Sequence, residues 1–385
     1  MMRILLINYE YPPLGGGGGI AMMEIAQELA RRHEVHVLTS GIKGLPAIEK
    51  HQALNLTIHR VQVLGRSDRA TASFSSMAAF LPAGVRRGNQ LMASHAFDVI
   101  NTWFAIPSGI TGAAIAEKHR VPHLLTIIGG DIYDPSKWYS PHRFFPAGMA
   151  VKRVLRQASA HVAISTDIAA RARTYFGFRR PIEVIPLGIA EPRYSRCSRA
   201  ELGLDDTRKY VVAVGRLVRR KDYPTLLRAV RDLPRDDTDL ILLSDGPERD
   251  NLRALAGQLG IGDRVHLKGF VADELKYQIL ANSDLFALVS LHEGFGVVYL
   301  EAMHCGLPVI AADQGGQIDL LSDGETGRLV PIGDAPAITR SLAELLGDEA
   351  LAKRIGAHNR QRFQDFSISR LAQKYESAFE AMRRT

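Results

Sequence analysis

Two glutamates eight positions apart, Glu293 and Glu301, are the residues whose spacing most invites chemistry. They lie in the run 291–310, Leu-His-Glu-Gly-Phe-Gly-Val-Val-Tyr-Leu-Glu-Ala-Met-His-Cys-Gly-Leu-Pro-Val-Ile. The pattern predicts an apolar strand over 285–289, a turn through Gly294 and Gly296, a helix over 296–304 ended by Gly306 and Pro308, and a second apolar strand. That helix is apolar on nearly every face, so it is expected to be buried. A carboxylate inside it is costly unless hydrogen-bonded. Carboxylates accept from hydroxyls, and the free amides of Phe295 and Gly296 at the helix start attract an anion. The pair therefore suits a ligand carrying several hydroxyls and a phosphate.

Such a site needs elements to hold it, and the chain supplies them twice. An apolar run over 3–9, the glycine run Gly15 to Gly19, an amphipathic helix over 20–32 and a strand over 34–39 form the opening of a doubly wound α/β domain. Similar alternation continues to about 186, where a polar, basic linker follows. A second alternation starts at Tyr210 and includes strands over 239–243, 285–289 and 309–311. The expected domains are 1–190, 191–366 and a last amphipathic helix within 367–385. Loops such as 65–85 carry no readable pattern. Two consecutive domains of this kind predict a ligand cleft at the carboxyl ends of their strands.

Composition sets the outer bounds. At 385 residues the chain exceeds one ordinary core, and its apolar fraction of 46% is ordinary for a globular protein. Two distant cysteines, Cys197 and Cys305, do not form a disulfide framework, so a reduced, cytoplasmic setting is expected. The opening apolar run is too short for a signal peptide. The balance of +7 fits phosphate-bearing ligands or an anionic membrane surface, and no nucleic-acid recognition motif accompanies it.

The glycine run has two readings. Its amides, those of Gly17 and Gly18 among them, could cradle a diphosphate or let an acceptor approach. Alternatively Gly16-x-Gly18-x-x-Ala21 fits a loose dinucleotide fingerprint, but the second strand ends Val37-Leu-Thr-Ser40 without the acid that reading requires. A nicotinamide cofactor is therefore disfavoured. In the second half, the basic loop Arg216-Leu-Val-Arg-Arg-Lys221 directly follows a strand, whereas basic loops elsewhere are usually solvated faces.

Glu293 and Glu301 form an E-x7-E pattern. With Glu-Gly-Phe-Gly, Glu-Ala-Met and the Gly-Leu-Pro-Val-Ile strand, it resembles the donor-sugar site of retaining glycosyltransferases of family 4 (glycosyl transferases group 1). The resemblance implies an α/β chain of GT-B architecture: two doubly wound Rossmann-like domains facing across a cleft, with the last helix crossing back onto the first. It implies transfer of a sugar from a nucleoside diphosphate sugar to a sugar or lipid-linked acceptor, with retention of configuration and without a metal or other cofactor. Glu293 would hold sugar hydroxyls and Glu301 ribose hydroxyls. Arg216 and Lys221, with the amides around Gly294, Phe295 and Gly296, would carry the diphosphate as the leaving group gains charge. Gly246, in Ser244-Asp-Gly-Pro-Glu248, and Val271, in Gly269-Phe-Val, would lie near the nucleotide. Gly315-Gly-Gln-Ile-Asp319 resembles a supporting Gly-Gly-x-x-Glu turn. Front-face attack, with the leaving phosphate oxygen helping to take the acceptor proton, would need no covalent nucleophile. A GT-B epimerase, a phosphorylase-like enzyme and a catalytically silent sugar-nucleotide-binding protein are the alternatives.

The first half departs from the pattern at one place. Where many relatives carry His-Gly-x-Asp, this chain reads Ile128-Gly-Gly-Asp131. Asp131 could orient donor or acceptor, or equally cap a helix. Nearby His142 and Trp103 read as structural, as does the formal D-x-D at Asp237-Thr-Asp239, so no metal is inferred. Arg219 and Arg220 read as a solvated face. Lys152, Arg153, Arg156, Arg171, Arg173, Arg179 and Arg180, with Phe144, Phe145, Met149 and Val151, could dock on an anionic bilayer or be an ordinary soluble surface.

Overall fold

A computed structural model describes residues 1–66 and 73–384. They form two compact units, 1–188 with 368–385, and 189–367. The first carries β1 (Arg3–Ile7), α1 (Gly17–Leu29), β2 (Glu34–Gly41), β3 (Ile48–Lys50), β4 (Leu56–Gln62), α2 (Phe74–Ser94), β5 (Val99–Trp103), α3 (Ile110–His119), β6 (His123–Ile127), α4 (Phe145–Gln157), β7 (Ala160–Ala163), α5 (Thr166–Phe176) and β8 (Glu183–Val184). Its sheet runs β3-β4-β2-β1-β5-β6-β7-β8, parallel throughout except that β3 lies antiparallel to β4. The central strands β1, β5 and β6 are short apolar runs buried on both faces, as a helix-covered parallel sheet requires.

The second unit carries β9 (Lys209–Val214), α6 (Tyr223–Arg231), β10 (Thr238–Leu243), α7 (Arg249–Gln258), β11 (Val265–Gly269), α8 (Asp273–Ala281), β12 (Leu285–Leu288), α9 (Val297–His304), β13 (Val309–Ala312), β14 (Gly327–Val330), α10 (Ala335–Gly347) and α11 (Glu349–Phe363). Its six strands are parallel, ordered β11-β10-β9-β12-β13-β14. In both sheets the order reverses beside the first strand, between β1 and β5 and between β9 and β12. Ligands of open α/β sheets bind at such switch points, outside the carboxyl ends of the strands.

The last helix, α12 (Ile368–Arg383), belongs to the first unit. It packs on α1, and its Tyr375 stacks on the fully buried Trp103 of β5 at 5.7 Å between ring centroids. Trp103 also donates from Nε1 to Asn101 at 2.9 Å, so it is a core residue.

Three expectations are corrected. The glycine run is no free loop before a helix at residue 20: α1 begins at Gly17. The unreadable segment 65–85 contains the whole first half of α2, which starts at Phe74 behind a Ser73 cap that accepts from the Ser76 amide; positions 67–72 lie outside the described residues. The strand β3 was not anticipated. Among the described residues no helix is long and apolar enough to cross a membrane.

Candidate functional site

In the second unit, β9 and β12 are neighbours, so the loops leaving their carboxyl ends meet. After β9, Gly215 (φ +154°) turns the chain into a single 3-10 turn, Arg219–Lys221, ahead of α6. After β12 comes Ser290 and the turn that bears Glu293. Lys221 and Glu293 are both buried, and Lys221 Nζ donates to Glu293 Oε2 at 2.5 Å. Arg220 donates to Glu293 Oε1 at 3.2 Å and to the His292 carbonyl. Ser290 Oγ reaches Glu293 Oε2 at 3.4 Å. Arg220 is thus part of the site and not the solvated residue that the basic loop suggested; Arg219 is exposed.

Burial opposes ionisation of Glu293, yet the charges of Lys221 and Arg220 outweigh it and hold the carboxyl at about 2. Burial pushes the Lys221 ammonium down, and its pairing with Glu293 counters that. Two buried tyrosines brace the loops: Tyr223 donates to the Gly215 carbonyl at 2.6 Å and Tyr299 to the Leu288 carbonyl at 2.8 Å.

The turn leading into α9 leaves no room for side chains. Gly296 sits at φ +90°, where an added Cβ would come within 2.4 Å of the Tyr299 ring. Gly315, at φ +111°, lies over Glu293 so closely that a Cβ would stand 2.8 Å from the Glu293 carbonyl oxygen, and the Gly316 amide donates to that oxygen at 2.8 Å. The Gly-Gly-Gln-Ile-Asp turn is therefore a direct support of the glutamate. Phe295 is buried, and α9 buries five consecutive residues, Tyr299 to Met303. At the start of α9 the Tyr299 amide already donates to the Gly296 carbonyl at 3.0 Å, while the Val297 and Val298 amides precede any intrahelical acceptor, as at any helix start.

Glu301 is held differently. Its Oε1 accepts from Lys276 at 2.8 Å and Tyr277 at 3.3 Å, both on α8, while its Oε2 is buried and has no hydrogen-bond partner among the described residues. Burial pushes this carboxyl up, and Lys276 only partly offsets it. Lys276 escaped the sequence reading because nothing in an ordinary charged helix marks a partner 25 residues away.

The remaining second-unit candidates are placed as follows. Arg216 is exposed, and its guanidinium makes no ion pair or hydrogen bond among the described residues. Gly246 packs on the loop after β9, where a Cβ would lie 2.4 Å from the Leu217 carbonyl oxygen. Val271 is half-buried beside Phe270, which is 88% exposed. The D-x-D is spent on ion pairs: Asp237 binds Arg235, whose hydrogen bonds hold its carboxyl down at about 2, and Asp239 binds Arg208 and His266.

In the first unit, Gly17 has open space where a Cβ would point, whereas Gly18 is filled by the Phe104 ring at 2.6 Å and Ile128 at 3.4 Å. Gly16 donates its amide to Glu10 Oε2 at 3.2 Å. Asp131 is buried and both its oxygens are taken by backbone amides, Ala105 at 2.6 Å, Gly129 at 2.7 Å and Ile128 at 3.2 Å. It clamps the turns after β5 and β6 together. His142 lies against the Tyr133 ring at 4.5 Å, a packing position. Of the basic, aromatic stretch, Phe145 and Met149 are exposed and Phe144 is half-buried, but Val151 is core; Trp138, outside that stretch in the sequence reading, is also exposed and packs edge-on to Phe144.

Comparison with known proteins fixes the class. A family model described as Glycosyltransferase Family 4 matches residues 15–191, and one described as Glycosyl transferases group 1 matches 196–362. The fold superposes on sucrose-phosphate synthase from Thermosynechococcus elongatus with a TM-score of 0.86, 26% identity and 99% of both chains covered. Anabaena Alr3699/HepE, solved with UDP and glucose, gives 0.77 at 22% identity over 99% of this chain and all of that one, which bears on fold alone. Fold and site together define a glycosyltransferase of GT-B architecture.

The chain belongs to glycosyltransferase family 4. It is 26% identical to N-acetyl-alpha-D-glucosaminyl L-malate synthase of Bacillus anthracis, covering 96% of this chain and 94% of that one. It is 28% identical to GDP-mannose-dependent alpha-(1-6)-phosphatidylinositol monomannoside mannosyltransferase of Mycolicibacterium smegmatis, covering 93% and 92%.

The buried triad generates a stability test. Glu293→Gln leaves two cations facing a neutral amide, and loss of one partner from a buried pair costs about 3–5 kcal/mol. Because the folded carboxyl is held below its ordinary value of 4.5, the stabilisation is complete above that pH and fades as pH falls toward 2. Denaturant unfolding of wild type and Glu293→Gln should differ most near pH 7 and converge at the acid end. A difference that grows on acidification contradicts the assignment.

Proposed function

We infer that this glycosyltransferase moves a sugar from a nucleoside diphosphate sugar to an acceptor hydroxyl with retention of anomeric configuration and without a metal, in the synthesis of a glycan or glycolipid. The observation that carries the reading is the Lys221–Arg220–Glu293 triad at the amino end of α9. Fixed positive charge beside a helix start supports this reading, because it would offset the charge that develops on a diphosphate leaving group. Arg216, unpaired and exposed, is assigned to the diphosphate. Glu293 keeps lone pairs for sugar hydroxyls beyond those its cations use. Glu301, whose Oε2 lacks a partner, is assigned to the ribose hydroxyls. Gly17, open on the side where a Cβ would be, lets a ligand approach the first unit's backbone. Gly246 and Val271, in the second unit, are assigned to the donor through loop shape. Asp131, with both oxygens committed, acts by positioning the turns after β5 and β6. No side chain is assigned as a covalent nucleophile, so attack proceeds on the front face with the leaving phosphate oxygen taking the proton. The name of the phosphatidylinositol monomannoside mannosyltransferase relative supports the glycolipid assignment.

The deciding experiment is a product analysis. Screening UDP-, GDP- and ADP-sugars by thermal shift identifies the donor, since a ligand of the folded state raises apparent stability. Proton NMR of the first-formed product should then show the donor's anomeric configuration; an inverted linkage, or turnover only with added divalent metal, refutes the mechanism. Arg216→Ala should leave stability unchanged and weaken nucleoside diphosphate binding by about tenfold or more, with nucleoside binding nearly unaffected. Equal losses for both ligands would show the phosphate to be misplaced.

Exposed Trp138, Phe145 and Met149, at 75%, 73% and 50%, sit among Lys137, Lys152, Arg153 and Arg156. An apolar surface ringed by cations suits an anionic bilayer, where a lipid-linked acceptor would reside. Co-sedimentation with phosphatidylglycerol vesicles should exceed that with neutral vesicles and fall in a Trp138→Ala, Phe145→Ala double variant. Indifference to lipid charge rejects membrane contact.

A further inference from the structure

The candidate site occupies the carboxyl ends of the strands, but the amino end of β2 in the first unit gathers a second polar cluster that sugar transfer does not use. Glu34 and His36 stand two positions apart on β2 and share one face of the strand. His36 Nε2 lies 3.0 Å from Glu34 Oε1. His95 follows the last turn of α2, its ring edge-on to His36 with 4.6 Å between centroids. One ligand atom from each of Glu34, His36 and His95 falls within 4.8 Å of the others.

The supports around these groups are those a metal site needs. Arg3 Nε holds the second oxygen of Glu34 at 2.8 Å, leaving Oε1 as a monodentate ligand. The Leu91 carbonyl and Ser94 hydroxyl engage His95 Nδ1 at 3.3 and 2.9 Å, which leaves Nε2 to coordinate. His36 is buried, while Glu34 and His95 are half-buried, so an ion has a route from solvent.

The geometry points to a Zn²⁺-type site formed by Glu34 Oε1, His36 Nε2 and His95, with water as fourth ligand, tying β2 to the end of α2. Two nitrogens and one carboxylate oxygen are a common open donor set for zinc. Tetrahedral bonds of about 2.0–2.1 Å draw ligand atoms to about 3.3 Å apart, a closure that side-chain rotation of His95 at the helix end can supply. The ring protons balance. Without metal, Arg87 donates to His59 Nδ1 at 3.1 Å, so His59 donates from Nε2 to His36 Nδ1, and His36 donates from Nε2 to Glu34. Coordination needs the His36 Nε2 lone pair. The His36 proton then sits on Nδ1 and is donated to His59 Nε2, the His59 proton sits on Nδ1, and Arg87 withdraws. Two ring protons exist before and after.

The test uses the full chain after chelator treatment, titrated with ZnCl₂ by calorimetry and thermal shift. The expected result is one ion per chain and a Tm that climbs with zinc concentration, with H95A and E34Q at least tenfold weaker and transferase turnover without added zinc unchanged in both. Co²⁺ in place of zinc should give the visible absorption of a four-coordinate site in wild type and not in H95A. R87A should bind at least as tightly as wild type, because a competing cation is gone. Equal binding by wild type and H95A, no saturable binding at all, or weaker binding by R87A overturns the proposal.

Discussion

A buried ammonium facing a buried carboxylate is the constraint from which the second unit's site follows. Neither Lys221 nor Glu293 could lie where it does alone, since an unpaired charge out of water costs several kcal/mol. Their contact requires the loops after β9 and β12 to converge, which only adjacent strands allow. Hence the order reversal between β9 and β12 is the feature that makes the site possible. The glycines at 215, 296 and 315 then follow from sterics, because each stands at a positive φ beside a ring, a backbone oxygen or the lysine itself.

The charge of the triad has a consequence for the ligand. Arg220 and Lys221 against Glu293 leave one net positive charge, and Arg216 adds a second close by in sequence but unpaired. Two of the loop's four cations engage Glu293 and Arg219 pairs with Glu248, so the charge left for a diphosphate is smaller than the wealth of basic residues suggests but is already fixed in place. Fixed dipoles and pre-paired cations need little reorganisation when negative charge develops. A loop of freely solvated arginines would have to be ordered and desolvated by the ligand first.

Much of this was legible in the sequence because the signals were local. Continuous apolar runs marked the parallel strands, and the spacing of Glu293, Gly296 and Glu301 with Gly306 and Pro308 marked the turn and α9. What could not be read depended on distant partners. Arg220 looks solvated until its partner 73 residues away is placed beside it. The helix α2 carries Pro82, Gly84 and Gly88, which argue for a loop. Packing explains the two glycines: a Cβ on Gly84 would stand 3.0 Å from Thr111, and one on Gly88 2.2 Å from Ile115, so they let α2 lie close on α3. The three residues of β3 are all exposed and lack any apolar alternation.

The two acids of the E-x7-E pattern, alike in sequence, differ in how far the protein satisfies them. Glu293 has both oxygens engaged and is ionised at any physiological pH; its strength lies in a fixed position and a fixed charge. Glu301 has one oxygen held by Lys276 and Tyr277 and one with no hydrogen-bond partner among the described residues, and burial pushes its carboxyl up. A buried acceptor left unpaired carries a free-energy penalty that a donor hydroxyl can remove. The acid with both oxygens engaged therefore sets the electrostatics of the site before any ligand arrives and has only its remaining lone pairs for hydroxyls, whereas the one with an unpaired oxygen gains most from a ligand that brings hydroxyl groups to it. A difference in hydrogen-bond saturation, and not the shared residue type, separates their roles.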